Sequence, residues 1–242
     1  MSVAARMRTA MILAAGRGER MRPLSDATPK PLLRAGGKPL IVWQIEALAS
    51  AGFDELVVNV SHGADALIDA LQDGARFGVR IRWSREPEPL ETAGGIATAS
   101  PLLPEGPVVV VSGDIWTRFD YRSLDDRIAA MLRVADAPRV HLVMVPNPPY
   151  HSEGDFTLNG ERLALEGERR LTFGNIGVYD MALFRDLPRG EKLRMLPLYR
   201  QWIAAGLVSG ERYDGPWANV GTPSDLAALD ASLTRERHDH AR

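Results

Sequence analysis

The chain has 242 residues, of which 45% are hydrophobic and 25% are charged, and its formal net charge is −2. This length accommodates one sizeable α/β domain, and the composition is that of an ordinary soluble globular protein. A charge so close to neutral gives no support for binding nucleic acid or a membrane surface by bulk electrostatics. A phosphate site would therefore need a local concentration of positive charge.

The residue types also bear on the cellular compartment. The chain contains no cysteine, which excludes disulfides and thiolate metal sites and suits a reducing compartment. Residues 1–8 lack the apolar segment of a signal peptide, and no later stretch approaches the run of about 18 apolar residues that crosses a membrane. We therefore expect a cytoplasmic protein that binds neither nucleic acid nor membrane.

The first predicted element is a buried strand that opens into a glycine-bearing, cationic loop. The apolar run at 10–14 predicts the strand. The loop that follows carries Arg17, Arg20, Arg22 and Lys30. Glycines let backbone N–H groups approach phosphate oxygens, and arginine and lysine neutralise their charge. This loop is therefore a candidate polyphosphate site.

Two familiar phosphate loops do not fit this stretch. The segment 16–21 begins like G-x-G-x-x-G, but Met21 stands where the third glycine is required. The acidic residue that a dinucleotide site needs about 20 positions later is also missing, because 35–38 is a turn. No G-x-x-x-x-G-K-[ST] occurs either, so the loop is not a P-loop.

The first half of the chain predicts a parallel sheet covered by helices. Helical spacing occurs at 39–51 and 64–72, and apolar or β-branched runs occur at 55–60, 79–83 and 107–112. Such alternation is typical of parallel sheets. The segment 86–96 is expected to be a loop that opens a helix near Gly95. Because ligands bind beyond the carboxyl ends of parallel strands, Asp114 and the cationic loop should share one rim.

The second half of the chain is predicted to contain helices, a hairpin and further strands. The sequence predicts helices at 124–134, 191–205 (with a potential break at Pro197) and 223–235, a hairpin of 155–158 with 161–165, and strands at 140–145, 171–179, 208–213 and 217–220. We expect a single domain over 1–235 with an accessory β region at about 146–179. The remaining 236–242 is expected to be a charged, frayed tail.

The cationic stretch resembles, position by position, the signature of the sugar-phosphate nucleotidyltransferases. That signature is Leu-Ala-Ala-Gly-x-Gly-x-Arg-Met-x-Pro-Leu followed by Pro-Lys-Pro. Its fixed places are filled by Leu13, Ala14, Ala15, Gly16, Gly18, Arg20, Met21, Pro23, Leu24, Pro29, Lys30 and Pro31. The resemblance implies a three-layer, Rossmann-like α/β fold with a mainly parallel sheet. It also implies a Mg²⁺-dependent enzyme that converts a nucleoside triphosphate and a sugar 1-phosphate into a nucleotide-sugar and pyrophosphate.

The same resemblance assigns roles around the nucleotide. Arg20 is expected to contact the triphosphate, and Lys30 to bridge the phosphates of nucleotide and sugar, so these two and Asp114 are the expected catalytic residues. Arg17 and Arg22 occupy variable places of the signature and are predicted to be surface residues. The expected nucleotide-binding residues are Ala14, Ala15, Gly16, Gly18, Glu19, Arg20, Glu86, Thr92 and Ser112.

Two residues are candidate metal ligands by resemblance. Family members bind magnesium through an aspartate after the central strand, which here is Asp114. The alternative is that Gly113-Asp114 only turns the chain. The second family ligand is an acid in a late Trp-x-Asp-x-Gly-Thr segment, and here Asn219 replaces it. Some relatives, the N-acetylglucosamine-1-phosphate uridylyltransferases, also use an asparagine for this ligand, so activity need not be lost. Because the amide carries no charge, we expect a weaker metal site than an aspartate would give, with a turn-shaping Asn219 as the alternative.

The substrate pair rests on a finer resemblance. Leu90-Glu91-Thr92 followed by glycines looks like the base-reading segment of the N-acetylmuramate α-1-phosphate uridylyltransferases of peptidoglycan recycling. UTP with that sugar phosphate is therefore the first expectation. Mannose-1-phosphate guanylyltransferase is the first alternative, and a non-catalytic nucleotide-sensing module, suggested by Asn219, is the second. The expected sugar-binding residues are Gly154, Asp155 and Asn175, whereas Glu168 and Arg169 receive no role.

Overall fold

The computed structural model of the chain describes residues 8–240, so the predicted absence of a signal peptide falls mostly outside the described residues. The structure has an α/β fold with one large sheet and helices on both faces. The strands are β1 (Thr9–Leu13), β2 (Arg34–Ala35), β3 (Lys38–Pro39), β4 (Glu55–Val60), β5 (Arg80–Arg85), β6 (Pro107–Ser112), β7 (Ile115–Thr117), β8 (Val140–Val145), β9 (Phe156–Asn159), β10 (Arg162–Ala164), β11 (Arg170–Asp180), β12 (Val208–Arg212) and β13 (Trp217–Asn219). The helices are α1 (Leu24–Ala27), α2 (Leu40–Ser50), α3 (Ala64–Leu71), α4 (Glu91–Ala99), α5 (Asp125–Arg133), α6 (Met195–Ala204) and α7 (Pro223–His240).

Nine strands form the large sheet in the order β5-β4-β1-β6-β11-β8-β12-β10-β9. The half made of β5, β4, β1 and β6 is parallel. Strand β11 then runs antiparallel to both β6 and β8, and β12 is parallel to β8. The sheet is therefore mixed, and the expected parallel pairing holds for its first half. Leu13 of β1 pairs with Ser112 of β6, so the segments after these two strands leave the sheet side by side.

Alternating side chains of the strands divide the interior into two apolar layers. In β1, Ala10 and Ile12 belong to the core under α2 and α3, whereas Met11 belongs to the core under α4 and α6. Successive side chains of a strand point to opposite faces, and a central strand buried on both faces is continuously apolar. Strand β4, buried throughout, and β1 and β6, buried except at their ends, thus form the middle of a three-layer α/β fold, as the sequence predicts.

Three predicted boundaries differ from the structure by four residues or more, and the others by two or fewer. Helix α4 begins at Glu91, four residues before the predicted start near Gly95. Helix α6 begins at Met195 rather than at position 191, so Pro197 lies in its first turn and does not interrupt it. Helix α7 continues to His240, where the sequence predicted an end at position 235 and a frayed tail.

Three parts of the sheet system were not predicted. The short strands β2 and β3 pair with each other, and β7 pairs with β13, in two separate two-stranded sheets. The expected accessory hairpin, β9 with β10, does form, but it joins the large sheet through β10–β12 and β9–β11 pairing. The assignment of one domain to 1–235 stays a prediction. Within residues 8–240, no helix is both long and apolar enough to cross a membrane.

Candidate active site

The loop after β1 is held in a fixed shape by short-range contacts. Gly18 has a φ of +64°, and a Cβ atom there would lie 2.9 Å from Cβ of Lys30, so glycine is required on both counts. The Ser25 hydroxyl donates a hydrogen bond to the carbonyl of Gly18 at 2.8 Å. Met21 is fully buried in a third apolar cluster that includes residues of α7. The loop is therefore anchored at both its polar and its apolar positions.

This loop forms one wall of an open cleft of about 710 Å³, which we call the phosphate cleft. It is lined by Arg17, Gly18, Glu19, Arg20, Lys30, Pro89, Glu91, Lys192 and Gly221. Four of these are cations. Arg17, predicted to be a surface residue, is exposed and also lines the cleft. Lys192 was not singled out by the sequence, whereas Arg22 forms an exposed ion pair with Asp26, as expected of a surface residue.

Lys30, which lines the phosphate cleft, forms an ion pair with Asp114. Nζ of Lys30 lies 2.5 Å from Oδ2 of Asp114, and the two side chains are 11% and 32% exposed. Arg20 approaches the segment after β13, since a Cβ atom at Gly221 would lie 3.5 Å from its guanidinium. The loop after β1 and the loop after β6 thus meet at one rim, as predicted from the strand order.

Asn219 reaches the neighbourhood of Asp114 through the short sheet. It pairs with Ile115, and the backbone N–H of Val220 donates to the carbonyl of Asp114 at 3.0 Å. Its side chain lines an adjoining pocket of about 510 Å³ that is mostly apolar and includes Trp116, Trp217 and Tyr150. An aspartate carboxylate and an asparagine amide are the oxygen donors that Mg²⁺ accepts when substrate phosphates and water complete its coordination.

Tyr150 is a second residue that the sequence did not single out. It lines the same pocket as Asn219, its hydroxyl lies close to the Asn219 side chain, and the residue is 58% exposed. It lies in the short turn that follows Pro148 and Pro149. Nothing in the signature points to this position, because the contact joins the turn after β8 to β13.

A second pocket of about 310 Å³ lies at the carboxyl ends of β1, β4 and β6, and we call it the base pocket. It is lined by Leu13, Ala15, Gly16, Asn59, Glu86, Pro89, Leu90, Glu91, Thr92, Ser112 and Asp114. Five of these residues, Ala15, Gly16, Glu86, Thr92 and Ser112, were expected to bind nucleotide. Pro89 and Glu91 also line the phosphate cleft, so the two pockets adjoin.

A buried hydrogen-bonded chain forms the floor of the base pocket. The N–H of Ala14 donates to Asn59 at 2.8 Å, and the Asn59 amide donates to Glu86 at 2.7 Å. The other Glu86 oxygen accepts from the N–H of Leu90 at 3.0 Å. Burial raises the pKa of Glu86, while the hydrogen bonds from Asn59 and Leu90 lower it. Asn59 was missed, although a lone amide in the apolar run of β4 is a usable signal.

The glycines of α4 are required by close packing. A Cβ atom at Gly94 would lie 2.2 Å from the carbonyl oxygen of Glu191. One at Gly95 would lie 2.8 Å from the Asn59 amide nitrogen and 2.9 Å from a Glu86 oxygen. These clearances are too short for any side chain. The two glycines therefore let α4 approach both the floor of the base pocket and the 190–193 segment.

Glu91 occupies a backbone conformation that favours glycine. Its φ is +64°, and in the family segment that the sequence resembles, a glycine commonly stands at this position. A non-glycine residue in this region carries a steric penalty of roughly 1–2 kcal/mol. Glu91 therefore carries local backbone strain at the junction of the two pockets.

We expect Glu91→Gly to raise the free energy of unfolding by about 1 kcal/mol, because glycine removes the steric penalty at positive φ. The denaturant midpoint of the purified variant measures this change. Glu91→Ala is the matched control, since it removes the same carboxylate but keeps a Cβ atom. Equal stability of the two variants would show that the backbone at Glu91 is not strained.

The expected sugar-binding residues lie together along β11 but do not line the phosphate cleft or the base pocket. Gly154 has a φ of +62°, and its Cβ position is blocked by Asn147 at 2.8 Å. The Asp155 carboxylate accepts hydrogen bonds from His151 at 3.1 Å and from the N–H of Phe173 at 2.8 Å. Asn175 has a φ of +58° within an irregularity of the β11–β8 register.

Similarity to known proteins is extensive. A family model described as nucleotidyl transferase matches residues 9–148. Over 226 residues the chain is 44% identical to an N-acetylmuramate alpha-1-phosphate uridylyltransferase of Neisseria meningitidis serogroup B, covering 92% of this chain and 96% of that protein. A protein of the same name from Caulobacter vibrioides is 34% identical over 238 residues, which are 93% of this chain and 96% of that protein.

More distant relatives have other names. A mannose-1-phosphate guanyltransferase of Aspergillus fumigatus is 30% identical over 231 residues, which cover 90% of this chain but 62% of that longer protein. A solved structure of a putative glucose-1-phosphate thymidylyltransferase from Bacillus anthracis superposes with a TM-score of 0.80 at 18% identity, covering 94% of this chain and 95% of that one. At that identity the superposition shows the shared fold alone.

Proposed function

Because this chain belongs to the nucleotidyl transferase family, we propose that it transfers the uridylyl group of UTP to N-acetylmuramate α-1-phosphate. The products are UDP-N-acetylmuramate and pyrophosphate. The observation that carries this proposal is the 44% identity to a uridylyltransferase of that sugar over 92% of this chain and 96% of the relative. The cytoplasm, predicted from the sequence, is the compartment in which we place the reaction.

The reaction is an in-line displacement at the α-phosphorus of UTP. An oxygen of the sugar phosphate forms the new P–O bond, and the bond to the β-phosphate bridging oxygen breaks as pyrophosphate leaves. The attacking group is already an anion, so no protein nucleophile is required. The protein has to hold two repelling anions together and offset the charge that develops on the leaving group.

The cations of the phosphate cleft suit this task. We assign Arg20, with the N–H groups of Gly16 and Gly18, to the β- and γ-phosphates. Lys30 would lie between the two reactants, since it emerges from the same loop and contacts Asp114. Arg17 adds positive charge along the same wall. Charge-assisted hydrogen bonds of this kind are stronger than neutral ones.

The family typically uses a divalent metal ion, and we assign Mg²⁺ to Asp114 and Asn219. Among residues 8–240, there is no cluster of three or more histidine, aspartate or glutamate residues that could hold a metal alone. One carboxylate and one amide fit an ion that takes its other ligands from substrate phosphates and water. When bound there, Mg²⁺ supplies charge neutralisation at the substrate phosphates.

The remaining assignments concern the base and the sugar. We assign the uracil to the base pocket, with the backbone around Thr92 and Glu86 as its polar contacts. We assign the sugar to the region of Gly154, Asp155 and Asn175 along β11. Since the Asp155 carboxylate already accepts two hydrogen bonds, we expect it to act by holding β11 in place.

A screen of pyrophosphate release tests the proposal. UTP, GTP, ATP and CTP are each supplied with Mg²⁺ and with N-acetylmuramate α-1-phosphate or mannose 1-phosphate. We expect release with UTP and N-acetylmuramate α-1-phosphate. Release with GTP and mannose 1-phosphate instead would favour the alternative that the 30% identical guanyltransferase suggests. Nucleotide binding without release at any Mg²⁺ concentration would favour a nucleotide-sensing module.

We expect Asn219→Asp to lower the Mg²⁺ concentration that gives half-maximal activity by several-fold, because a second anionic ligand strengthens a magnesium site. The rate at saturating Mg²⁺ should change little. Mg²⁺ titrations of pyrophosphate release measure both quantities, and Asn159→Asp, at an exposed hairpin position outside the pockets, serves as a control for added negative charge. An unchanged Mg²⁺ response would argue that Asn219 is not a ligand.

A further inference from the structure

Lys192 is a cation of the phosphate cleft that the sequence did not single out. It comes from the segment before α6, and it lines the cleft together with Arg17, Arg20 and Lys30. Its Nζ lies 2.5 Å from Oε2 of Glu88. Building on the proposed function, we propose that Lys192 binds the β- and γ-phosphates of the nucleotide, and that Glu88 holds its ammonium in place until the phosphates take over the contact.

The backbone on both sides of Lys192 is fixed against α4. The N–H of Leu193 donates to the carbonyl of Leu90 at 3.0 Å, and the carbonyl of Leu193 accepts from the N–H of Ala93 at 3.0 Å. On the other side, the carbonyl of Glu191 is packed onto Gly94, where no Cβ atom would fit. The origin of the Lys192 side chain is therefore set by the same contacts that shape the base pocket.

The partner of Lys192 is suited to being exchanged. Both side chains of the Lys192–Glu88 pair are 55% exposed, and exposed ion pairs contribute little stability because water screens them. The pKa of Glu88 is lowered mainly by Lys192 and to a smaller extent by Arg17. Glu88 therefore lies near two cations of the cleft, where a triphosphate with several charges competes well against a single carboxylate.

Lys30 and Lys192 differ in a way that predicts different kinetic roles. Lys30 is 11% exposed and paired with Asp114, whereas Lys192 is 55% exposed. A solvent-exposed cation of the cleft is expected to contribute to binding the triphosphate in ground state and transition state alike. Its loss should therefore raise KM for UTP and leave kcat within about threefold.

Equilibrium binding of UTP and UMP tests the inference independently of turnover. Calorimetric titrations with Mg²⁺ compare the unmodified chain with Lys192→Ala, Lys192→Arg and Glu88→Gln. We expect Lys192→Ala to weaken UTP binding about tenfold and to leave UMP binding within twofold, because UMP lacks the β- and γ-phosphates. Lys192→Arg should keep most of the affinity. Glu88→Gln, which removes the competing charge, should tighten UTP binding by about twofold.

Arg185→Ala is the matched control, since it removes an exposed positive charge from the same connection between β11 and α6 but outside the cleft. It should bind UTP as the unmodified chain does. Unchanged UTP binding by Lys192→Ala, an equal loss for UTP and UMP, or an equal loss in Arg185→Ala would each overturn the role of Lys192.

The outcomes for the two proposals are separable. UTP binding that depends on Lys192, without pyrophosphate release, would support the Lys192 contact and contradict the proposed reaction. Pyrophosphate release together with UTP binding that is equal with and without Lys192 would support the proposed reaction and contradict the Lys192 contact. Where another nucleotide binds in preference to UTP, the proposed base is wrong, and the triphosphate and monophosphate of that base decide the role of Lys192.

Discussion

Replacing Lys30 with alanine is expected to lower kcat/KM by roughly 10²–10³-fold, the usual cost of removing one group that stabilises transition-state charge. Its side chain is 11% exposed, and its Nζ lies 2.5 Å from Oδ2 of Asp114. A charge so poorly solvated interacts more strongly with a neighbouring phosphate than an exposed one does. Initial rates of pyrophosphate release over a range of UTP concentrations measure the effect.

The fold should survive this substitution, because the Lys30–Asp114 pair is partly solvated at Asp114 and breaking it removes few apolar contacts. Thermal unfolding followed by circular dichroism checks this. Lys38→Ala is the matched control, since Lys38 pairs with Glu46 away from the phosphate cleft. Its activity should equal that of the unmodified chain. Near-normal activity of Lys30→Ala would remove Lys30 from the proposed mechanism.

Replacing Asp114 with asparagine is expected to lower kcat by roughly 10³-fold and to shift the Mg²⁺ dependence to higher concentrations, because a metal ligand's charge is worth several kcal/mol at the transition state. The substitution keeps the shape of the side chain and removes its charge. Pyrophosphate release measured from micromolar to high millimolar Mg²⁺ gives both effects. Chelation of divalent ions should abolish the activity of the unmodified chain.

A higher Mg²⁺ concentration should distinguish the activity losses of Lys30→Ala and Asp114→Asn. Added Mg²⁺ should partly restore Asp114→Asn, whereas it should not restore Lys30→Ala, whose missing charge is not part of the metal site. Asp65→Asn is the control, because Asp65 forms an exposed ion pair with Arg85 outside both pockets. If Asp114→Asn kept the Mg²⁺ dependence of the unmodified chain, Asp114 would be a turn residue, the alternative that the sequence left open.

The central strands were predictable because their sequence signals are local. The segments Glu55–Val60 and Pro107–Ser112 are continuous apolar or β-branched runs, which is how strands buried on both faces are encoded. The same locality applies to the cationic loop, where one continuous stretch carries the whole signature. Membership of the nucleotidyl transferase family was therefore predictable before any contact was known.

The start of helix α4 was predicted less well, because tertiary contacts rather than local helix propensity require its two glycines. Glycine is a poor helix former, so the pair Gly94-Gly95 favoured a late helix start. In the structure both glycines lie inside the helix, since Glu191 on one side and Asn59 with Glu86 on the other leave no space for a Cβ atom. Packing outweighed the local propensity.

By itself, the sequence determined the strand–loop signature, the family and the central layers of the fold, because each depends on residues that are close together in the chain. Only the tertiary structure decided that Lys192, Asn59 and Tyr150 join the site. Each of these side chains belongs to the site because it lies against a residue of a different element. No local pattern in the sequence records such a contact. The pairing of β7 with β13, which places Asn219 beside Asp114, was decided in the same way.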